Sequence, residues 1–227
     1  MAVQDDRREN EMRELFQLDK DESEGRSGID AMLLIDGVKI PFELKSSTED
    51  SVTTVRDFSL DHVVKWQNKH WLFGFYDPGG VTLRYCLYGS PELMEPWING
   101  MKAYIAPDLE LAKLLPAHLA LSDMYVICGM KQVYTADDVK RIYKKQYKKS
   151  EYVAAMDVEN GYSADKMLEI LRQRAKYLIL RGSTLNNPHI PGGYFKEWPK
   201  ITTNHAEVLR KLVREVLQSK AKAVATE

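Results

Sequence analysis

Cysteine is scarce in this 227-residue chain, and Cys86 and Cys128 each sit in an apolar stretch without metal-ligand spacing. That excludes a disulfide framework and a Cys/His zinc module, and predicts structural thiols in a reducing cytoplasm. Long hydrophobic runs are missing as well: none approaches the ~18 residues a membrane span needs. The opening stretch MAVQDDRRENEMREL is polar and charged, and is expected to be neither a signal nor a transit peptide. No glycine-rich phosphate loop of the nucleotide-hydrolase kind occurs, so no nucleotide cofactor is expected. His70, His118, His189 and His205 make no metal-like cluster with the cysteines, and there is no internal repeat or low-complexity tract.

What is present begins with charge. The net charge of −1 conceals an asymmetry. Residues 1–130 carry 13 basic and 22 acidic side chains, net −9, and residues 131–227 carry 19 and 11, net +8. Such a split either separates a carboxylate-rich site from a surface that meets an anionic partner, or reflects uneven surface charge alone.

The periodicities predict an α/β protein: a central mixed sheet flanked by helices, with a mostly helical C-terminal half. Residues 7–18 read as a helix with Met12, Leu15 and Phe16 on one face. Strands are expected at 29–35 and 38–45, joined by Asp36-Gly37, the strongest short hairpin signal. A helix near 59–69 with Ser59 as N-cap precedes strands at 71–76 and 81–88. Ser90-Pro91 opens a further helix, and others are expected near 108–120, 136–149, 164–181 and 204–220, with a short strand at 124–128. The Gly/Pro/Asn-rich stretch 182–200 reads as a long loop of the kind that often carries function. The expected division is a core over 1–130 and a basic, helical part over 131–227, or one continuous domain.

The hairpin turn fixes the pairing. With two turn residues, Ile35 must lie opposite Val38, and continuing the ladder sets Asp30 opposite Glu43 and Gly28 opposite Lys45. The Asp30–Glu43 pair falls at a non-hydrogen-bonded site, with Cα atoms roughly 4.5 Å apart. One face then carries Ile29, Ala31, Leu33, Ile35, Val38, Ile40, Phe42 and Leu44, and must be buried. The other carries Asp30, Met32, Leu34, Lys39, Pro41, Glu43 and Lys45. Two carboxylates facing each other repel unless a cation lies between them. Lys45 relieves part of this, and a hard divalent ion such as magnesium would relieve the rest. The alternative is a solvated strand face on which Lys45 simply pairs with Glu43.

Gly28-Ile29-Asp30, a β-turn and Phe42-Glu43-Leu44-Lys45-Ser46 together resemble the PD-(D/E)xK nuclease superfamily, above all the type II restriction endonucleases. The preceding helix and the following helix and strand fit that family's core order, so the resemblance covers roughly residues 7–90. Ile29 stands where the family name has proline. The resemblance implies a restriction-endonuclease-like core and Mg²⁺-dependent hydrolysis of double-stranded DNA at a specific sequence. Asp30, Glu43 and the Leu44 carbonyl would hold the metal, and Lys45 would act beside it on water and phosphate. The family often adds a glutamate from the preceding helix, for which Glu11 and Glu14 are candidates, Glu11 the nearer to the apolar face. A homodimer in a bacterial or archaeal cytoplasm is implied, with no membrane partner.

For DNA contact, Lys140–Lys149 reads as a basic helix with Tyr143 and Tyr147 one turn apart, in which Lys144, Lys145 and Lys148 would meet phosphates. A solvated helix end would look the same. In the loop, Arg181, Asn186, Asn187 and His189 are the types that read base edges, although Asn, Pro and Gly also build ordinary turns. Trp66 is expected in the core, while His62 or Gln67 would reach the site. The rivals to a restriction enzyme are a repair or junction-resolving nuclease on the same core and a non-catalytic DNA-binding protein.

Overall fold

The computed structural model describes residues 2–20, 29–144 and 148–224. Helix α1 (Ala2–Phe16) leads into a hairpin of β1 (Ala31–Ile35) and β2 (Val38–Ser47). Asp36 and Gly37 both take positive φ, 49° and 80°, which matches the right-handed twist of the strands they join. The register is the one the turn dictates, from Ile35 opposite Val38 to Ala31 opposite Phe42. It stops there: β1 begins at Ala31, so Ile29 and Asp30 precede the ladder, and Gly28 lies outside the described residues. On the apolar face Ala31, Leu33, Ile35, Ile40, Phe42 and Leu44 lie in the core as expected, whereas Ile29 is half-buried and Val38 at the hairpin tip is exposed; on the opposite face Glu43 is buried too, which breaks the alternation.

After β2 the chain forms β3 (Val52–Thr53) and α2 (Leu60–Trp66), then returns as β4 (His70–Tyr76) and β5 (Leu83–Gly89). The sheet order is β1-β2-β4-β5; β4 runs parallel to β2 and antiparallel to β5, so the sheet is mixed. Strand β4 is buried along its whole length, as a central strand covered on both faces should be. Leu72 joins Met12, Phe16, Phe42 and Leu44 in one core, together with Leu209 and Val213 of the C-terminal helix. Gly74 allows α1 to approach, since a Cβ there would lie 2.7 Å from Met12 Sδ. On the other face, Trp71, Phe73 and Phe75 pack against Trp66, Trp97, Phe195 and Trp198.

The remaining elements are α3 (Pro91–His118), α4 (Leu121–Cys128), α5 (Ala136–Tyr143), α6 (Lys149–Ala154), α7 (Ala164–Gly182), β6 (His189–Ile190), a 3₁₀ helix (Gly192–Phe195) and α8 (His205–Val224). Three of these correct the sequence reading. The strand expected at 124–128 is helical: Asp123 accepts the Ala120 N–H at 2.8 Å, a helix-start contact, and Met124 is the residue this short helix buries. The helices expected after Ser90 and at 108–120 are one continuous α3. The basic helix expected over 136–149 breaks at Lys144, which turns left-handed at φ 53° and closes α5 by donating to the Lys140 carbonyl. Residues 145–147, including Lys145 and Tyr147, lie outside the described residues.

Two compact units emerge: 1–102 with 185–227, and 103–184. The division expected at 130/131 falls inside the second unit. The first holds the sheet. In it, 185–190 is anchored by β6 pairing with β3 and by the Phe58–Leu185 bridge. The second has its own core of Met124, Tyr134, Val139, Tyr162, Met167 and Leu171. Among the described residues no single helix is long and apolar enough to cross a membrane, although the pair α3 and α4, bent by 90°, passes by length and composition.

The first core also sets a pH response. His70 is 4 % exposed, and its Nδ1 lies 2.6 Å from the Tyr88 hydroxyl. Burial, helped by Lys220, pushes its imidazole from 6.5 down to about 4. The unfolded chain therefore takes up a proton that the folded one refuses between these values. Stability is fully present above pH 6.5 and falls as pH drops toward 4, by about 3 kcal/mol. Urea unfolding at intervals from pH 7 to pH 4 should show this slope, and His70→Gln should remove most of it; equal slopes in both proteins would refute the assignment.

Candidate functional site

Where β2 leaves the hairpin, its neighbours bring two carboxylates and one carbonyl to a single point. Asp30 stands in the bend before β1. The Leu44 N–H, beyond the end of the β1 ladder, donates to Asp30 Oδ2 at 3.0 Å, so the carboxylate takes the place of the carbonyl a longer β1 would offer. Arg13 of α1 fixes the same bend by donating to the Asp30 carbonyl at 3.1 Å. Glu43 lies within β2 beside Trp71 of β4 and is 1 % exposed. Lys45 reaches back between them: its Nζ is 2.9 Å from Glu43 Oε1, 2.9 Å from the Leu44 carbonyl and 3.5 Å from Asp30 Oδ2.

The acids are thus brought together with Lys45, but not as a directly facing pair, because the ladder ends one position short of Asp30. Their repulsion is met by ammonium groups. Glu43 Oε2 accepts from Lys69 Nζ at 3.0 Å, and Lys65 Nζ lies 3.9 Å away. Burial opposes the charge on Glu43, but Lys45, then Lys69 and Lys65, outweigh it and hold the carboxyl well below the usual carboxylate range. Burial likewise disfavours charge on Lys45, and Glu43 followed by Asp30 reverses this and raises it. Lys69 is lowered by its own burial, with Glu43 offsetting part of the effect.

Lys65 and Lys69 were not legible as site residues. A signal existed in the chain: Lys69 immediately precedes β4, and a β-strand returning parallel to β2 through a helix brings its N-terminal end beside Glu43. That holds only once the Glu43–Trp71 register is known.

On α1 the glutamate that faces the site is Glu9. Its carboxyl is raised by burial and by the charge of Asp30, against the influence of Lys45 and Arg13. Glu11, two residues on and so about 200° around the helix, instead accepts from the Tyr76 hydroxyl at 3.1 Å. Glu14 is exposed. His62 Nδ1 accepts the Ser59 N–H at 3.2 Å, and burial with Lys65 lowers its pKa. Trp66 is fully buried, and Gln67 lines a cleft of about 470 Å³ with Asn68, Glu92 and Lys102.

The residues expected to touch DNA fall in both units. Lys144, Lys148 and Arg181 belong to the second, where Lys144 caps α5 and the Lys148 N–H donates to Glu151 at the start of α6. Asn186, Asn187 and His189 belong to the first, and all three lie around β6.

Among the described residues no group of three or more His, Cys, Asp or Glu side chains is placed to hold a metal ion. The convergent set is two carboxylates and a backbone carbonyl, all hard oxygen donors, disposed around one positively charged nitrogen. This donor chemistry suits magnesium, which takes one or two carboxylates and completes its shell with water and phosphate oxygens. The residues therefore fit such an ion at the place the Lys45 ammonium fills. The chain matches no protein-family model and no curated protein sequence.

Proposed function

We propose that this chain is a magnesium-dependent endonuclease of the PD-(D/E)xK kind, cutting double-stranded DNA at a specific sequence as type II restriction enzymes do. The observation that carries the reading is the convergence of Asp30, Glu43 and the Leu44 carbonyl on one cation position. The order of helix, hairpin, helix and strand around a mixed sheet supports it, and a restriction-endonuclease-like core is part of the proposal.

Asp30 and Glu43, with the Leu44 carbonyl, would hold the ion, which when bound supplies Lewis-acid assistance to water attack and to the departing oxygen. Lys45 would give up its present oxygens and set its ammonium against a non-bridging phosphate oxygen, where negative charge builds. Glu9, paired with Arg13 at 3.7 Å, would add a third negative charge near Asp30. Asn186, Asn187 and His189 would read base edges, and Lys144, Lys145, Lys148 and Arg181 would meet phosphates. A homodimer would place one such site on each strand of a palindromic target.

The test is incubation with phage DNA in Mg²⁺ or in EDTA, followed by sequencing of the fragment ends. Discrete bands that share a terminal sequence and vanish in EDTA are expected. Cutting that follows junctions or lesions would favour a repair nuclease on the same core. One observation favours a non-catalytic DNA-binding protein: Glu43 is already engaged by three ammonium groups. That reading predicts intact DNA under both conditions.

A further inference from the structure

We infer that Lys69 is a positioning residue for Glu43, holding one carboxylate oxygen so that the other is reserved for the metal. The inference rests on the metal-dependent reading above. Its basis is how the two oxygens of one buried carboxylate are divided. Oε2 faces α2 and the turn after it, where Lys69 Nζ sits at 3.0 Å and Lys65 Nζ at 3.9 Å. Oε1 faces the convergence point, where it shares Lys45 Nζ with the Leu44 carbonyl and Asp30 Oδ2. If Lys45 moves aside for an ion, Oε1 is the oxygen that becomes available, and Oε2 remains tied.

Lys69 is well placed to be a fixed tether. Its side chain is 5 % exposed, and its backbone N–H is anchored to the Trp66 carbonyl at 3.2 Å. A buried ammonium without its partner is strongly unfavourable, so the contact resists exchange with water. Lys65 is more exposed, at 29 % of its side chain, and stands as a secondary contact. Groups of this kind, which orient a ligand without touching the metal, typically change metal affinity by about 10- to 100-fold when removed. A purely structural pair would show no such link, since well-packed apolar replacements of buried ion pairs are often tolerated.

The experiment is calorimetric titration of the full chain with Mg²⁺, without DNA, for the wild type, Asp30→Asn, Lys69→Met, Lys69→Arg, Glu43→Gln and the double variant Glu43→Gln with Lys69→Met. Melting curves without metal accompany each. Lys69→Met should weaken Mg²⁺ by roughly 10-fold or more. Lys69→Arg keeps the charge, so it serves if the methionine variant melts too low. Its planar fork tends to take both oxygens of a carboxylate, and it should weaken Mg²⁺ as well. Glu43→Gln alone should abolish binding, and adding Lys69→Met to it should raise the melting temperature instead of lowering it further, because the two act as one unit. Wild-type affinity in Lys69→Met or Lys69→Arg, with Asp30→Asn still abolishing binding, would overturn the inference alone. A wild type that binds no Mg²⁺ overturns it together with the metal reading. Binding that follows the expected pattern in a protein that leaves DNA uncut would sink the nuclease proposal and uphold Lys69.

Discussion

Glu43→Gln should abolish both magnesium binding and DNA cleavage, and should also destabilise the metal-free protein. On the proposed mechanism, removing a carboxylate from the convergent set would withdraw several kcal/mol of transition-state charge stabilisation, on the order of 10³-fold or more in rate. The stability effect has a separate cause. Lys45 and Lys69, with 14 % and 5 % of their side chains exposed, would lose the anion they share. Breaking a buried ion pair from one side destabilises by about 3–5 kcal/mol. Urea unfolding without metal should show a loss of that order, and adding Lys69→Met should recover part of it by removing one stranded cation. A Glu43→Gln protein as stable as the wild type would mean that water already reaches these charges. Cleavage should be assayed well below the lowered melting temperature, so that lost activity reports chemistry.

Lys45→Met should separate two properties that Glu43→Gln removes together. Cleavage should fall by about 10²–10³-fold, the usual effect of deleting one preorganised group aimed at developing charge. Magnesium binding should persist or tighten. The Lys45 ammonium lies within 2.9 Å of Glu43 Oε1 and of the Leu44 carbonyl, the oxygens an ion would use, so on the proposed reading lysine and metal would compete for one place. An apolar methionine leaves that place open and keeps both carboxylates. Calorimetry on the metal-free variant decides the point: affinity equal to or above the wild type fits the competition, and loss of binding would show that Lys45 supports the site instead of filling it. The variant should fold, because Lys69 and Lys65 still compensate Glu43.

Part of this arrangement is legible in the amino-acid order alone. The Asp36-Gly37 turn and the alternation on either side give the register, the buried face and the closeness of Asp30, Glu43 and Lys45, because these residues are joined through a few local hydrogen bonds. Pairing rules miss that Asp30 turns to cap the Leu44 N–H, a choice made where the ladder ends. They also point to a divalent ion balancing acids that three lysines balance here. Two of those lysines come from α2 and the turn after it, and their approach depends on the parallel pairing of β2 with β4.

Longer-range choices show the same divide. Periodicity identifies α1 and its buried Met12 and Phe16, but favours Glu11 where the fold turns Glu9 toward Asp30. Both lie near the edge of the apolar stripe, and only the angle at which α1 packs on the sheet, permitted by Gly74, separates them. The segment 124–128 is apolar enough for either strand or helix, and the Asp123 contact at its start settles it as helix. Local turn chemistry at Asp36-Gly37, acting over a handful of residues, thus lay open in the amino-acid order, whereas the caps at Asp30 and Asp123 did not. Which faces met which, and hence which charges surround Glu43, waited on contacts between residues far apart in the chain, whose geometry no short window of sequence contains.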